Sequence, residues 1–195
     1  LEASLTAKKD RSLGVIIAFN VKILPEAEAE LSNNNIKVFQ NNIIYHLIEE
    51  YNEWREKLKE EEIQKELNSL IRPGKFKILP GYVFRRSDPA IVGVEVSGGI
   101  IKPGYPLINE KGKDLGRIMA IKDKDKSLEY AKVGSTIAVS IEGKILIGRH
   151  VNEGDVIYTD VPQEHAIKLI TQFKNYISND ELLTLKEIAE IKKNA

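Results

Sequence analysis

The chain contains no cysteine among its 195 residues, which excludes disulfide bridges, thiolate nucleophiles and zinc sites with cysteine ligands. No apolar run approaches the roughly 20 residues that a membrane-spanning helix needs, and no signal peptide precedes the first apolar segment. We therefore expect a cytoplasmic protein that makes no contact with a membrane. The single methionine, beside abundant lysine, glutamate and isoleucine, is the composition expected of a thermophile.

Recognisable catalytic patterns are also missing. No G-x-x-x-x-G-K-[ST] phosphate loop occurs, because Glu142-Gly143-Lys144 lacks both the earlier glycine and the following serine or threonine. The histidines His46, His150 and His165 have no metal-ligand spacing. The run Glu60-Glu61-Glu62 is typical of a solvated helix face rather than of paired catalytic carboxylates. The sequence thus predicts a binding or spacing protein, with no catalytic site, metal or cofactor in this chain.

Charge is balanced over the whole chain but unevenly distributed. Basic and acidic residues number 29 each, yet residues 1–71 have a net charge of −4 and residues 72–160 a net charge of +4. A basic middle segment indicates a polyanionic partner such as a nucleic acid. Ordinary scatter of surface charge would give the same count, so both interpretations stay open at this point.

Residues 1–42 predict part of an α/β domain. Gly14–Lys22 is a continuous apolar run of the buried-strand type, Pro25 opens a short helix, and Ile36–Gln40 is a second strand. Strands joined through a helix are parallel, but two strands alone rarely form a stable sheet. Because the chain also begins with Leu1 rather than methionine, we expect a piece of a longer protein.

Residues 41–71 contain neither proline nor glycine and predict one long connecting helix. An apolar stripe on its first half is expected to pack on the preceding domain, whereas its second half is charged almost all round. Such a helix is either a rod between two domains or an element that folds back on a partner outside the chain. The stripe consists of Ile44, Leu47, Ile48, Tyr51, Trp54 and Leu58.

From residue 72 to residue 160 the pattern changes, and the sequence consists of short strand-like runs separated by glycine-containing turns. Six or seven strands at this spacing predict a small closed β-barrel, because closure removes exposed sheet edges. Residues 161–195 predict two helices packed on the barrel: the first covers Gln163–Ile177, and the capping box Ser178–Glu181 opens the second. The predicted fold class is therefore α+β.

Three long segments resemble the C-terminal barrel of the translation initiation factor 5B family of archaea and eukaryotes. They are RPGKFKILPGYVFRRSDPAIVGVEVSGGIIKPGYPL, LGRIMAIKDKDKSLEYAKVGSTIAVSIEG and GRHVNEGDVIYT. AFNVKILPEAEAE and VFQNNIIYHLIEEY are similar to the end of that family's third domain and the start of its connecting helix. The resemblance implies that the GTPase domain, with its GTP and magnesium, belongs to a missing N-terminal part, so this chain is not an enzyme by itself.

The resemblance also implies the partners. The barrel would bind the aminoacyl end of initiator methionyl-tRNA and, within the larger GTPase, promote the joining of ribosomal subunits. The two terminal helices would bind the tail of initiation factor 1A, and we expect the chain to be a monomer. As an alternative, the chain is chiefly a protein-interaction module for that tail, with little RNA binding of its own.

The implied tRNA contacts lie at the tip of one hairpin and on the strands beside it. Cations would contact phosphates there, and Val94 with the strand of residues 134–138 would form an apolar wall for the methionyl side chain. Alternatively, the arginines only keep an exposed tip soluble, and Val94 and Ile137 belong to the barrel core. The candidates are Arg85, Arg86, Gly93, Val94, Lys122, Gly134, Thr136, Arg149 and His150.

The candidate contacts for a protein partner are apolar residues of the two terminal helices. They are Ile167, Ile170, Phe173, Ile177, Leu182 and Leu185. Their helical spacing equally fits a face that packs on the barrel, and the sequence does not show whether the helices leave a groove.

Overall fold

A computed structural model describes residues 2–194, so residues 1 and 195, the outer ends of the first and last predicted segments, lie outside the described residues. The described chain divides into two compact units, the first ending at Asn68 and the second beginning at Ser69. Within residues 2–194, no helix is both long enough and apolar enough to cross a membrane.

The first unit combines helices with a two-stranded sheet. Its elements are α1 (Glu2–Lys9), β1 (Val15–Phe19), α2 (Pro25–Asn33), β2 (Lys37–Asn41) and α3 (Ile44–Ser69). β1 and β2 are parallel, with Val15 opposite Lys37, which confirms the prediction from the crossover helix. The sequence did not predict helix α1. None of its residues is buried, so the sequence has no apolar stripe that would indicate a helix there.

Helix α3 packs its first half on β2 through aromatic side chains. The Phe39 ring lies edge-on against Tyr51, with 5.8 Å between ring centroids, and against Trp54, with 5.5 Å. The predicted stripe is wrong at Ile44 and Ile48, which are 49% and 53% exposed. A sheet of two strands is too narrow to cover every apolar residue of this helix.

The second unit is built on a ring of six antiparallel strands. Its strands are β3 (Gly74–Arg85), β4 (Ala90–Ile101), β5 (Pro106–Asn109), β6 (Asp114–Asp123), β7 (Lys126–Leu128), β8 (Ala131–Lys132), β9 (Thr136–Glu142) and β10 (Val156–Thr159). The ring runs β3-β10-β5-β6-β9-β4, and β4 pairs back with β3. β7 adds to β6, and β8 adds to β4. The predicted closure of the sheet is confirmed.

Side-chain alternation places one face of each strand inside the ring. In β4, Val92 and Val94 are fully buried, whereas Glu95 between Val94 and Val96 is exposed. The largest buried side chains of the ring core include Phe76, Ile78, Leu107, Ile118, Ile141 and Ile157. The opposite face of the ring carries residues that contact the terminal helices in one part and the solvent elsewhere.

The C-terminal segment contains α4 (Gln163–Thr171), a short 3₁₀ helix (Lys174–Tyr176) and α5 (Asn179–Asn194). The predicted first helix was thus too long, because it ends at Thr171 rather than at Ile177. Phe173 and Ile177 flank the 3₁₀ turn, and both side chains are buried, so their helical spacing reflected packing rather than one continuous helix. The predicted capping box is confirmed: the Glu181 carboxylate accepts the backbone N–H of Ser178 at 2.9 Å.

Helix α5 lies close to β4 because glycines leave room for it. A β-carbon built on Gly98 would lie 2.5 Å from Oγ1 of Thr184, so no larger residue fits without movement. The backbone N–H of Gly99 donates to the Asp180 carboxylate at 2.9 Å. Lys75 in β3 also pairs with Glu187, at 2.7 Å. Apolar side chains complete the contact: Ile108, Tyr158, Val161, Leu185 and Ile188 form one buried cluster.

Candidate nucleic-acid interface

The two basic motifs singled out in the sequence meet in the structure. Arg86 follows the end of β3, and its carbonyl oxygen accepts the backbone N–H of Ile147 at 3.1 Å. The Arg86 guanidinium approaches the next turn, with Nη1 3.5 Å from the position of a β-carbon built on Gly148. Arg149 follows in that turn and is exposed. The hairpin tip and the Gly148–His150 turn therefore form one cationic surface.

The cations of this region are exposed and available. Arg85, Arg86, Lys122 and Arg149 are all exposed. Within residues 2–194 none of the four has an ion-pair partner, unlike Arg72, whose guanidinium is bound to Glu181. Exposed cations without a carboxylate partner are suited to phosphate contacts, which position a nucleic acid without reading its sequence.

His150 shapes the Gly148–His150 turn. Its backbone N–H donates to the Leu146 carbonyl oxygen at 2.9 Å, and its Nδ1 accepts the backbone N–H of Leu146 at 3.1 Å. Both hydrogen bonds join His150 to Leu146, so this side chain is held against the backbone of the turn.

Two of the predicted residues, Gly93 and Lys122, lie in one row across the outer face of the ring, with Ala138 between them. Ala138 in β9 pairs with Gly93 in β4 on one side and with Lys122 in β6 on the other. Thr136 lies two residues along β9 on the same face and is exposed. Gly134 lies in the turn before β9, with a φ of +86° that a residue with a side chain rarely adopts.

Val94 is not on this surface. Its side chain is fully buried in the core of the ring, and its partner in β9, Ile137, is 6% exposed. The strand alternation that turns Gly93 outward turns Val94 inward. The apolar wall expected from these two residues is therefore part of the core, and neither side chain can reach a bound molecule.

Sequence reasoning missed Tyr82 and Phe84. In the pairing of β3 with β4, Ile78 faces Val94 and Val83 faces Val92, so residues 79–82 bulge opposite the single residue Gly93. Tyr82 is 55% exposed and Phe84 is 67% exposed. An isolated glycine inside a strand, as at Gly93, is the sequence signal that marks such a close approach.

A second surface lies between α4 and α5. It is a groove of about 870 Å³ with an apolar floor and a lysine-rich rim. Its apolar lining includes Ala166, Ile170, Leu182, Leu185 and Ile188, and its lysines are Lys174, Lys186, Lys192 and Lys193.

The six candidate residues for a protein partner differ in their access to this groove. Ile170 is half exposed and lines the groove together with Leu182 and the buried Leu185. Ile167 is equally exposed but does not line it. Phe173 and Ile177 are buried, so they pack inside the second unit and do not present a contact surface to a partner.

No group of three or more His, Cys, Asp or Glu side chains in residues 2–194 is placed to hold a metal ion. The site is thus a surface of cations, aromatics and small residues. Such a surface suits binding by charge and stacking.

Comparison with known protein families identifies the class of domain to which the ring belongs. Residues 72–158, which contain the ring strands apart from the last residue of β10, match the family model "Elongation factor Tu domain 4", so the ring is a domain of the translation-factor type. Residues 4–52 match the model "Translation-initiation factor 2". The chain belongs to the archaeal translation initiation factor IF-2 family and corresponds to its C-terminal region.

Individual relatives agree over nearly the whole chain. It is 64% identical to the probable translation initiation factor IF-2 of Aeropyrum pernix over 195 residues, which is 100% of this chain and 32% of that protein. It is 58% identical to the corresponding protein of Staphylothermus marinus, over 99% of this chain and 32% of the relative. The crystal structure of GDP-bound aIF5B from Aeropyrum pernix matches with a TM-score of 0.69 and 64% identity, covering 98% of this chain and 32% of that one. The chain spans about one third of the length of these relatives.

Proposed function

We propose that the ring of the second unit binds the aminoacyl end of initiator methionyl-tRNA. The observation that carries this proposal is the set of unpaired, exposed cations, Arg85, Arg86, Lys122 and Arg149, around the outer face that contains Gly93. The cations contact phosphates, and the small side chain of Ala138 in β9 lets the acceptor end approach the sheet. Within the full-length factor, which supplies the GTPase with its GTP and magnesium, this contact helps the ribosomal subunits to join.

The proposal is tested by measuring the affinity of the chain for methionylated and deacylated initiator tRNA at several salt concentrations. Replacing Arg85 and Arg86 by alanine removes two phosphate contacts, so the salt dependence of log K falls by about 1 per contact. The matched control is Lys8→Ala/Lys9→Ala, an adjacent exposed pair at the end of α1 in the first unit. Equal, weak binding of both tRNA forms, unaffected by the arginine change, contradicts the proposal.

A second candidate function rests on the groove between α4 and α5. Its apolar floor and lysine rim fit an acidic peptide that carries apolar anchors: Lys174, Lys186 and Lys193 have no ion-pair partner among residues 2–194, whereas Lys192 is paired with Asp160. We propose the C-terminal tail of initiation factor 1A as its occupant. The groove shares no lining residue with the cations Arg85, Arg86, Lys122 and Arg149, so we expect the two functions to be compatible in one molecule.

This second function is tested by titrating a peptide of that tail into the full chain. Ile170→Asp places a carboxylate inside the groove, so affinity for an acidic peptide falls at least tenfold. Ile167→Asp is the matched control, because Ile167 lies on the same helix with 52% exposure against 49% for Ile170, but outside the groove. Identical binding by the two variants would show that the groove is not the peptide site.

A further inference from the structure

We infer that Tyr82 stacks on a nucleobase of the single-stranded 3′ acceptor end of the bound RNA. The inference rests on the proposed RNA-binding function and adds to it a specific residue and a specific type of contact. It concerns a residue that contributes neither charge nor core packing. Tyr82 is 55% exposed, although it lies in a strand of the ring.

The position of Tyr82 is built by the fold. Residues 79–82 bulge from β3 opposite Gly93, and this bulge brings the tyrosine across the neighbouring strand. A β-carbon built on Gly93 would lie 2.7 Å from Cβ, 3.3 Å from Cγ and 3.5 Å from Cδ1 of Tyr82. The tyrosine therefore occupies the space that any larger residue at position 93 would need.

The backbone of the bulge is held in place from the opposite side. The Gly81 N–H donates to the Glu153 carboxylate at 2.6 Å, and Gly81 has a φ of +79°, which glycine adopts at little cost. Ile78, just before the bulge, donates its N–H to the Asp155 carbonyl oxygen at 3.1 Å and accepts the Gly154 N–H at 2.9 Å. A ring on such a fixed backbone loses little conformational entropy when a base stacks on it.

The surroundings of Tyr82 favour a nucleic acid over other planar ligands. Beyond Gly93 the same row continues with Ala138 and then the exposed Lys122. Gly93 lies beneath the tyrosine and Ala138 beside it adds only a methyl group, while the lysine provides a cation for a backbone phosphate. Single-stranded nucleic acids are bound by this combination of an aromatic platform and a basic track, and stacking tolerates any base.

The test uses an aminoacylated acceptor-stem RNA whose terminal base is replaced by the fluorescent analogue 2-aminopurine. Stacking on the wild-type chain should quench the fluorescence. Tyr82→Phe should keep both quenching and affinity, whereas Tyr82→Ala should lose the quenching and weaken binding by about 5- to 150-fold, the range for losing one stacked base. Tyr130→Ala is the matched control, because Tyr130 is 51% exposed but lies outside this row, with Nζ of Lys132 over its ring.

Different outcomes separate the inference from the function on which it rests. If the wild-type chain fails to bind the RNA, the proposed function fails. If the wild type binds but Tyr82→Ala keeps its affinity and quenching, the function stands and the stacking inference is overturned. The inference is also overturned if Phe84→Ala alone abolishes the quenching while Tyr82→Ala leaves it intact. Thermal unfolding of each variant confirms folding, which is expected to be unchanged because Tyr82 and Phe84 are exposed.

Discussion

Arg72 and Glu181, 109 residues apart in the sequence, form a two-pronged ion pair. Nε of Arg72 donates to Oε1 at 2.7 Å, and Nη2 donates to Oε2 at 2.7 Å. The Glu181 side chain is almost completely buried at the start of α5, where it also closes the capping box. The pair joins the first residues of the second unit to its last helix.

The ion pair belongs to a cluster that fixes residues 70–74, which comprise the segment between α3 and β3 and the first residue of β3. The Leu70 carbonyl oxygen accepts the Tyr105 hydroxyl at 3.1 Å, and the Ile71 N–H donates to Nδ1 of His165 at 2.9 Å. The Thr159 hydroxyl accepts the Gly74 N–H at 2.9 Å and donates to the Arg72 carbonyl oxygen at 3.1 Å. Residues of the ring and of both terminal helices thus hold one short segment.

Removing Arg72 is expected to destabilise the second unit strongly. Arg72→Ala leaves the Glu181 carboxylate buried without its counter-ion, which costs about 3 kcal/mol. The measurement is urea unfolding followed by circular dichroism, because the single tryptophan, Trp54, lies in the first unit and reports on that unit.

Arg117→Ala is the control for this prediction. Its ion pair with Glu142 is exposed, with side-chain exposures of 65% and 41%, and should contribute less than about 1 kcal/mol. Equal losses in the two variants would show that burial does not strengthen the Arg72 pair.

The contact of α5 with β4 predicts a compensating pair of substitutions. Gly98→Ala drives a methyl group against Oγ1 of Thr184 and should cost about 1–3 kcal/mol. Thr184→Ala opens that space and removes a buried hydroxyl that has no hydrogen-bond partner among the described residues. The double variant should therefore recover much of the loss, with a coupling energy of about 1 kcal/mol or more.

A double-mutant cycle in urea measures this coupling. Thr171→Ala in the Gly98→Ala background is the control, since Thr171 is exposed on α4 and should give no recovery. Strict additivity of Gly98→Ala and Thr184→Ala would mean that α5 moves away from the ring instead of clashing.

The sequence predicted the elements whose signals are local. Glycine turns and alternating strands predicted the closed ring, and Ser178 with Glu181 predicted the start of α5. The end of α4 at Thr171 was missed because Phe173 and Ile177 continue the apolar spacing, although tertiary packing, not a helix, buries them.

The candidate site was less accessible to sequence reasoning because it depends on pairing between distant strands. Gly93 and Lys122 were singled out, but their common neighbour Ala138 defines the row only in the ring. Val94 was assigned to a surface because the direction of a side chain depends on the register of its strand. Tyr82 carries no charge and belongs to a bulge in β3; the glycine that marks this bulge, Gly93, lies on the neighbouring strand, so only the pairing of β3 with β4 connects the two residues.

Tyr158 should titrate well above an ordinary tyrosine. Burial, followed by the negative charge of Glu187, raises the pKa of Tyr158 from 10.0 to about 12. The neutral phenol is favoured in the folded state. The contribution of Tyr158 to the free energy of unfolding is therefore complete below pH 10 and is lost as the pH rises toward about 12.

Tyrosinate absorbance during alkaline titration checks this prediction. Tyr158→Phe should remove the tyrosinate absorbance that appears near pH 12. The free energy of unfolding of this variant should also fall less steeply with pH in that range. A titration of Tyr158→Phe that keeps the rise in absorbance near pH 12, or that loses absorbance near pH 10 instead, would contradict the raised pKa.

Ala138 offers a way to block the proposed RNA surface without disturbing the core. Its side chain lies on the outer face between Gly93 and Lys122, so Ala138→Glu places a carboxylate beside the lysine and in the path of the phosphates. Affinity for initiator tRNA should fall at least tenfold at low salt, since the new charge both neutralises Lys122 and repels the RNA. Ser97→Glu is the control, because it adds the same charge at an exposed residue of β4 outside this row. If both variants weaken binding equally while circular dichroism shows an intact fold, the effect is one of net charge, and the tRNA does not bind on this face.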